Sequence, residues 1–115
     1  ELPTVAAQRE PDLILHLKEG QRQVPVRASE ILFLESQRDY VLFHLVGRQV
    51  KTKATLTSLE GQLPADEFLR IHRSFIVSVR RVTGYTPNQI EIEGSTLPIG
   101  RNYKQLALAQ LQRLK

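Results

Sequence analysis

The chain is 115 residues long, contains no cysteine and carries a formal net charge of +4 at pH 7. This length predicts one domain with its own core, and the lack of thiols excludes disulfides and thiolate metal sites. No apolar run approaches the roughly 20 residues of a membrane-spanning helix, and no signal-peptide pattern is present, so a cytoplasmic protein is expected.

The positive charge is concentrated in the later part of the chain. Residues 1–35 contain four basic and six acidic side chains, whereas residues 36–115 contain twelve basic and six acidic ones. Within that later part, residues 68–90 and 101–115 contain no carboxylate side chain. Such segments suit contact with phosphates, and a solvated basic face is an equally good explanation of the charge alone.

The first half of the chain predicts a linker followed by paired strands. Residues 1–11 mix prolines, alanines and polar residues without an apolar period, which is typical of a linker from an upstream domain. The folded domain is therefore expected over residues 12–115. Alternating apolar residues and polar turns then predict strands at 13–18, 23–26, 31–35, 40–46 and 49–53, with turns at 19–22, 36–39 and 47–48.

A short helix is expected over residues 55–63, before a segment that is harder to assign. Helical spacing is carried by Leu56, Leu59 and Leu63. Thr57 and Glu60 have the spacing of a capping box, and Pro64 follows the last leucine. The apolar residues of 68–85 fit no single period, which predicts short extended pieces around one turn.

The last third of the chain predicts a hairpin and a helix. Strands are expected at 89–93 and 96–99, with Gly94 and Ser95 between them. A helix is predicted after them by an apolar stripe formed by Tyr103, Leu106, Ala107, Leu111 and Leu114. Asn102 is expected to cap this helix, which places Arg101 on an exposed loop just before the cap. Together the elements predict a mainly β fold with short helices.

The sequence offers no support for an enzyme, a cofactor site or a metal site. His16, His44 and His72 have no companion ligand at zinc spacing, and no glycine-rich nucleotide motif is present. Ser74, His72 and Asp39 lack the elbow and oxyanion loop of a hydrolase. No helix-turn-helix pair and no aromatic platform for RNA is recognisable, so loops would have to bind any nucleic acid.

One run of the sequence resembles the most distinctive motif of the LytTR family, F-x-R-x-H-R-S-[FY]-x-V: it is Phe68-Leu69-Arg70-Ile71-His72-Arg73-Ser74-Phe75-Ile76-Val77. Three further segments resemble the family in the same order: the strands within 31–40, the helix motif at 56–60, and 97–103, which is similar to I-P-[VI]-S-R-x-Y. The resemblance covers about residues 12 to 114. Two positions depart from it, because Gly100 replaces a usual Ser and Ser78 replaces a common Asn.

The resemblance implies both a fold and a function. The fold is mainly β, with small antiparallel sheets, a short central helix and a C-terminal helix. The function is sequence-specific binding of duplex DNA, as the output domain of a bacterial response regulator that controls transcription. Loops would enter successive major grooves, and a receiver domain would lie upstream. Such domains occupy paired direct repeats as dimers, and an isolated domain would be monomeric.

The resemblance also implies which residues contact DNA. Base contacts are expected from Arg101, Arg73, Arg38 and Asp39, because arginine can donate two parallel bonds to guanine and a carboxylate can accept from cytosine. Asp39 could instead only orient Arg38. Backbone contacts are expected from Ser74, His72, Asn102, Lys104 and Lys53.

Three alternatives stay open at this point. Arg73 could pair with Glu35 or Asp66 within the fold, since arginine often serves in such pairs. The domain could be a protein-interaction or ligand-sensing module that has kept the fold without binding DNA. It could also be a small β domain that binds RNA, which would prefer single strands to a duplex.

Overall fold

The computed structural model describes residues 13–113, which form ten strands, two helices and three short 3₁₀ turns. The linker predicted at 1–11 lies outside the described residues. The first strands are β1 (Ile14–Glu19) and β2 (Arg22–Arg27), which form an antiparallel hairpin. Their alternating pattern buries one face, as predicted, because Leu15, Leu17, Val24 and Val26 all lie in the core.

The centre of the domain is a five-stranded antiparallel sheet. Its strands are β3 (Ile31–Gln37), β4 (Tyr40–Leu45), β5 (Arg48–Lys53), β6 (Phe68–His72) and β7 (Phe75–Ser78), in the spatial order β5-β4-β3-β7-β6. Because every neighbouring pair is antiparallel, the turns of this sheet lie at two opposite ends.

The two ends of this sheet carry different segments. At one end, here called the loop end, lie the turns at 38–39 and 73–74 and the last residue of β5. At the opposite end lie the turn at 46–47 and the 3₁₀ turns Ala28–Glu30 and Val79–Arg81.

A second sheet and two helices cover the central sheet. The second sheet contains β8 (Val82–Thr86), β9 (Gln89–Ile92) and β10 (Ser95–Pro98) in the order β10-β9-β8. Helix α1 is Leu56–Glu60, and helix α2, Lys104–Gln112, follows a 3₁₀ turn at Arg101–Tyr103.

The central sheet is buried on both faces, so the domain has two apolar cores. On one face Leu34, Phe43 and Ile76 pack with the β1–β2 hairpin and α1. On the other face Phe33 and Val77 pack with β9, β10 and α2. Burying a side chain such as Phe43 completely contributes about 1.5 to 3 kcal/mol to stability, so both cores help to hold the sheet in place.

The segment 68–85 contains more turns than the one that was predicted. After the turn at 73–74 the chain bends again at the 3₁₀ turn Val79–Arg81 before β8 begins. Periodicity failed here because β6 and β7 are buried on both faces, with Phe68 and Ile76 in one core and Ile71 and Val77 in the other. The last hairpin turn is also one residue earlier than predicted, at Glu93 and Gly94, where Gly94 adopts a φ of +87°.

The helix boundaries correct the capping predictions. Helix α1 is capped by the Thr55 hydroxyl, which accepts from the backbone N–H of Ser58, so the Thr57 capping box is wrong. Asn102 does not cap α2, because it lies inside the 3₁₀ turn and Tyr103 precedes the helix without a side-chain cap. Leu106 was expected in the buried stripe, but its exposed fraction is 74%. Leu114 lies outside the described residues.

Candidate nucleic-acid interface

Hydrogen bonds between neighbouring segments bring three loops together at the loop end. The β3–β4 turn holds Arg38 and Asp39. The backbone N–H of Ser36 donates to the carbonyl of Ser74 over 2.9 Å, which places the β6–β7 turn beside the end of β3. Gly100 N–H donates to the carbonyl of Ile71 over 2.7 Å, and this bond attaches the loop before α2.

The loop end forms one continuous array across the central sheet. Neighbouring strands lie about 4.8 Å apart, so the four intervals from β5 to β6 span roughly 19 Å. Along this line the sheet places Lys53, the turn with Arg38, the turn with Arg73 and then the loop with Arg101. The residues predicted to contact DNA come from distant parts of the sequence, and the fold places them on one surface.

The first loop is a two-residue turn with an unusual backbone. Gln37 pairs with Tyr40, so only Arg38 and Asp39 form the turn, and both are exposed. Arg38 has a φ of +50°, in the left-handed region that costs a residue with a side chain about 1 kcal/mol or more. A positive φ is common in two-residue hairpin turns, and here it lets the chain reverse directly between β3 and β4. Lys53 is exposed beside this turn.

The second loop presents Arg73 without an acidic partner. Glu35 is engaged elsewhere, since its Oε1 lies 3.0 Å from His44 Nε2. Asp66 is exposed, and no ion pair within residues 13–113 includes Arg73. The alternative in which Arg73 is used for an internal pair therefore finds no support in the described part of the chain.

His72 is held in a defined orientation beside Arg73. Its Nδ1 accepts a hydrogen bond of 3.0 Å from the backbone N–H of Ser74, and its ring lies 5.5 Å from the ring of Phe75. When the imidazole is neutral, Nε2 therefore carries the hydrogen and is the nitrogen that can donate to a phosphate.

Arg70 lies at this site, and the sequence analysis assigned it no role. Its side chain is only 15% exposed, and Nε donates to the carbonyl of His72 over 2.9 Å. Nη2 donates to the carbonyl of Arg73 over 2.8 Å, while Nη1 lies 3.0 Å from Glu60 Oε1. The available signal was its place in the F-x-R-x-H-R-S motif, as a cation in a largely apolar strand two and three residues before His72 and Arg73.

The third loop exposes Arg101 and Asn102 at the start of its 3₁₀ turn. Lys104 is half-buried, and its Nζ binds Asn88 Oδ1 over 2.9 Å, so its ammonium group is held at one side of this loop. A Cβ on Gly100 would lie 3.1 Å from Tyr103 Cδ2 and 3.4 Å from His72 Cδ2. The Ser found in the family at this position would therefore crowd the second and third loops.

Two arginines at the opposite end of the sheet, Arg48 and Arg81, bind groups of their own chain. Arg48 Nη2 lies 3.2 Å from Glu30 Oε1 and donates to the carbonyl of Pro25. Arg81 Nη1 lies 3.3 Å from Glu93 Oε2, and its Nη2 donates to the carbonyl of Ser29. The positive potential of these side chains is therefore largely neutralised.

Other kinds of site receive no support from the described part of the chain. Residues 13–113 contain no group of three or more histidines and carboxylates that could hold a metal ion. Among the same residues no helix is both long and apolar enough to span a membrane.

Several known proteins are similar to this chain. The profile of the LytTr DNA-binding domain family matches residues 21–112. The sensory transduction protein LytT of Enterococcus faecalis is 33% identical over 92 residues, which are 74% of this chain and 38% of that protein. The transcriptional regulatory protein NatR of Bacillus subtilis is 27% identical over 85 residues, 70% of this chain and 36% of that protein. The chain thus spans well under half the length of these relatives.

This chain is also similar to a solved structure, over most of the length of both. The solved structure is the LytTr DNA-binding domain of a response regulator from Bacillus cereus, with a TM-score of 0.77 and 26% sequence identity, covering 85% of this chain and 95% of that one. The prediction of a mainly β fold of this type is confirmed. The family consists of DNA-binding domains, so the prediction of a non-enzymatic domain is confirmed as well. The chain belongs to the LytTr DNA-binding domain family.

Proposed function

We propose that this domain reads the sequence of duplex DNA with the loop end, using Arg73 and Arg101 as its principal base contacts. The observation that carries the proposal is the set of exposed arginines on adjacent loops that lack acidic partners within residues 13–113. A planar guanidinium group can donate two parallel bonds to O6 and N7 of guanine in the major groove. Arginines already paired within the protein would lose that capacity.

The neighbouring residues supply contacts that hold the domain in register. Arg38 would approach the same groove, and Asp39 would accept from cytosine N4 or orient Arg38. Phosphate contacts are assigned to five side chains with donor groups, Ser74, His72, Asn102, Lys104 and Lys53. Contacts of this kind set orientation without reading bases, so their loss should weaken binding to every sequence alike.

The wider role proposed for the domain comes from its relatives. They are named as sensory transduction and transcriptional regulatory proteins, and they are more than twice as long as the matched segment. We propose that the domain is the output half of a cytoplasmic response regulator, joined through residues 1–11 to a receiver domain. On DNA it would form a dimer on paired direct repeats, and in isolation it would be monomeric.

The test begins with selection of a binding site from random duplexes. Binding of the selected duplex, and of a scrambled duplex of equal composition, is then measured by fluorescence anisotropy for Arg73→Ala and Arg101→Ala. Each variant should lose about 1 to 3 kcal/mol on the selected site and little on the scrambled one. Arg80→Ala is the control, because it removes an exposed arginine from the opposite end of β7.

The outcomes separate the remaining alternatives. Equal losses on both duplexes would reduce Arg73 and Arg101 to phosphate contacts, and no loss would contradict the assignment. A preference for single strands would favour an RNA-binding domain. Failure to enrich any duplex would favour a protein-interaction or ligand-sensing module.

A further inference from the structure

The guanidinium group of Arg70 links two of the three loops at the loop end. It contacts the β6–β7 turn through the carbonyls of His72 and Arg73, at 2.9 and 2.8 Å. It also lies over the ring of Tyr103, 5.8 Å from the centroid, and Tyr103 belongs to the 3₁₀ turn that begins with Arg101. The Arg70 side chain therefore contacts the backbone beside Arg73 and the ring of Tyr103 in the loop that carries Arg101.

The geometry of these contacts depends on the planar fork of arginine. Nε and Nη2 each reach a carbonyl of consecutive residues in the turn, while Nη1 points to Glu60 at 3.0 Å. Lysine has a single ammonium group, so it can retain the charge but cannot hold three acceptors in these fixed directions. Arg70 holds the backbone carbonyl of Arg73. The position of this carbonyl is coupled to the direction in which the Arg73 side chain projects from the turn.

The surroundings of Arg70 leave room for a different side chain. The side chain borders a cavity of about 250 Å³ whose apolar lining includes Leu63, Phe68, Ile76 and Leu106. Space beside the side chain is thus available, and three hydrogen bonds connect the guanidinium group to the chain. A substitution by lysine can therefore be accommodated without overpacking.

We infer that Arg70 is a positioning residue that sets the orientation of the Arg73 and Arg101 loops and thereby controls discrimination between DNA sequences. The inference rests on the proposed function, because it assigns to Arg70 an effect that passes through those two arginines. Arg70 itself would not contact bases, since its side chain is only 15% exposed and each of its three nitrogens already donates to a group of the chain.

The first experiment is Arg70→Lys, measured by fluorescence anisotropy on the selected and scrambled duplexes. Because the charge is kept, the slope of log affinity against log salt should not change. Affinity for the selected duplex should fall about tenfold, and affinity for the scrambled duplex less than about twofold, as expected for coupled positioning. A loss that is equal on the two duplexes would overturn the inference.

A thermodynamic cycle then tests whether the effect passes through the reading arginines. Arg70→Lys is repeated in a protein that already carries Arg73→Ala and Arg101→Ala, and here it should alter binding less than about twofold. Persistence of the tenfold effect in that background would overturn the inference. A null result for Arg73→Ala alone would instead contradict the proposed function, so the two failures are distinguishable.

Two further variants separate positioning from a general effect on stability. Arg81→Lys is the matched control, because Arg81 also joins a carbonyl and a carboxylate but lies at the opposite end of the sheet. It should lower the melting temperature and leave the ratio of the two affinities unchanged.

If Arg70→Lys does not fold, Glu60→Ala removes only the partner of Nη1, whose side chain is 49% exposed. It should reduce the affinity ratio about threefold, and an unchanged ratio would overturn the inference.

Discussion

At the opposite end of the five-stranded sheet, Arg48 and Arg81 bind carboxylates and carbonyl groups of their own chain. At the loop end, Arg38, Arg73 and Arg101 are exposed and form no ion pair with any residue from 13 to 113. The residue type and the sheet are the same at both ends, and only the neighbouring groups differ. Net charge alone therefore does not indicate which arginines are available to DNA.

The difference has an electrostatic basis. In an arginine that is already paired, a carboxylate has replaced part of the water that hydrates the guanidinium group. The arginine would have to lose that partner before it could bind a base or a phosphate. An unpaired arginine loses only water when it binds. The loop end should therefore dominate DNA binding, whereas the opposite end should contribute to folding.

The largest expected effect comes from removing all three arginines of the loop end. The combined variant of Arg38→Ala, Arg73→Ala and Arg101→Ala should lose at least about 100-fold in affinity for the selected duplex, because several base and phosphate contacts disappear together. Fluorescence anisotropy at one fixed salt concentration measures the loss.

The matched variant combines Arg48→Ala, Arg80→Ala and Arg81→Ala, which removes the same charge from the opposite end. Its affinity should fall less than about tenfold, and to the same extent on both duplexes, since only long-range attraction is reduced. If the two triple variants bind DNA equally badly, the distinction between the two ends is wrong.

Effects on stability should be smaller, and they should be greater for an arginine of the opposite end than for one of the loop end. Arg81→Ala should lower the free energy of unfolding by about 1 to 2 kcal/mol, because the carbonyl of Ser29 and the Glu93 carboxylate both lose a donor. Arg101→Ala should change it by less than about 0.5 kcal/mol, since its side chain is exposed. Urea denaturation compares them, and a greater loss for Arg101→Ala would contradict the comparison.

The strained turn offers a comparison of two variants that should differ in stability and not in binding. Arg38→Gly should raise the free energy of unfolding by about 1 kcal/mol relative to Arg38→Ala, because glycine accepts the φ of +50° without strain. Both variants lack the guanidinium group and should bind the selected duplex equally weakly. Thermal unfolding and anisotropy together measure this, and equal stabilities would show that the turn is not strained.

The smallest expected effect is a change in the salt dependence of binding. Lys53→Ala should reduce the slope of log affinity against log salt by about 1, because one phosphate contact no longer releases a counterion. Arg27→Ala is the control, since this exposed residue directly precedes the 3₁₀ turn at the opposite end. A salt titration measures both slopes, and an unchanged slope for Lys53→Ala would place Lys53 outside the interface.

Several parts of the fold could be predicted because their signals are local. Alternation identified the β1–β2 hairpin, and the leucines at 56 and 59 identified α1 and are buried. The region from β6 to β8 could not be divided correctly, because its residues face two cores and no single period describes them. The predicted apolar stripe of the C-terminal helix was wrong at Leu106, which borders a cavity and is exposed. Periodicity cannot show which neighbours cover a helix.

By itself, the sequence determined the fold class, the family and the identity of the candidate arginines, since alternation, turn residues and motif spacing are properties of neighbours along the chain. Only the tertiary structure decided which of those arginines are available. Arg70 and Arg73 are three residues apart in one motif, yet the former is held by two carbonyls and Glu60 while the latter is exposed. The physical reason is that a guanidinium group is neutralised by whatever the fold brings near it, and those partners come from distant parts of the chain.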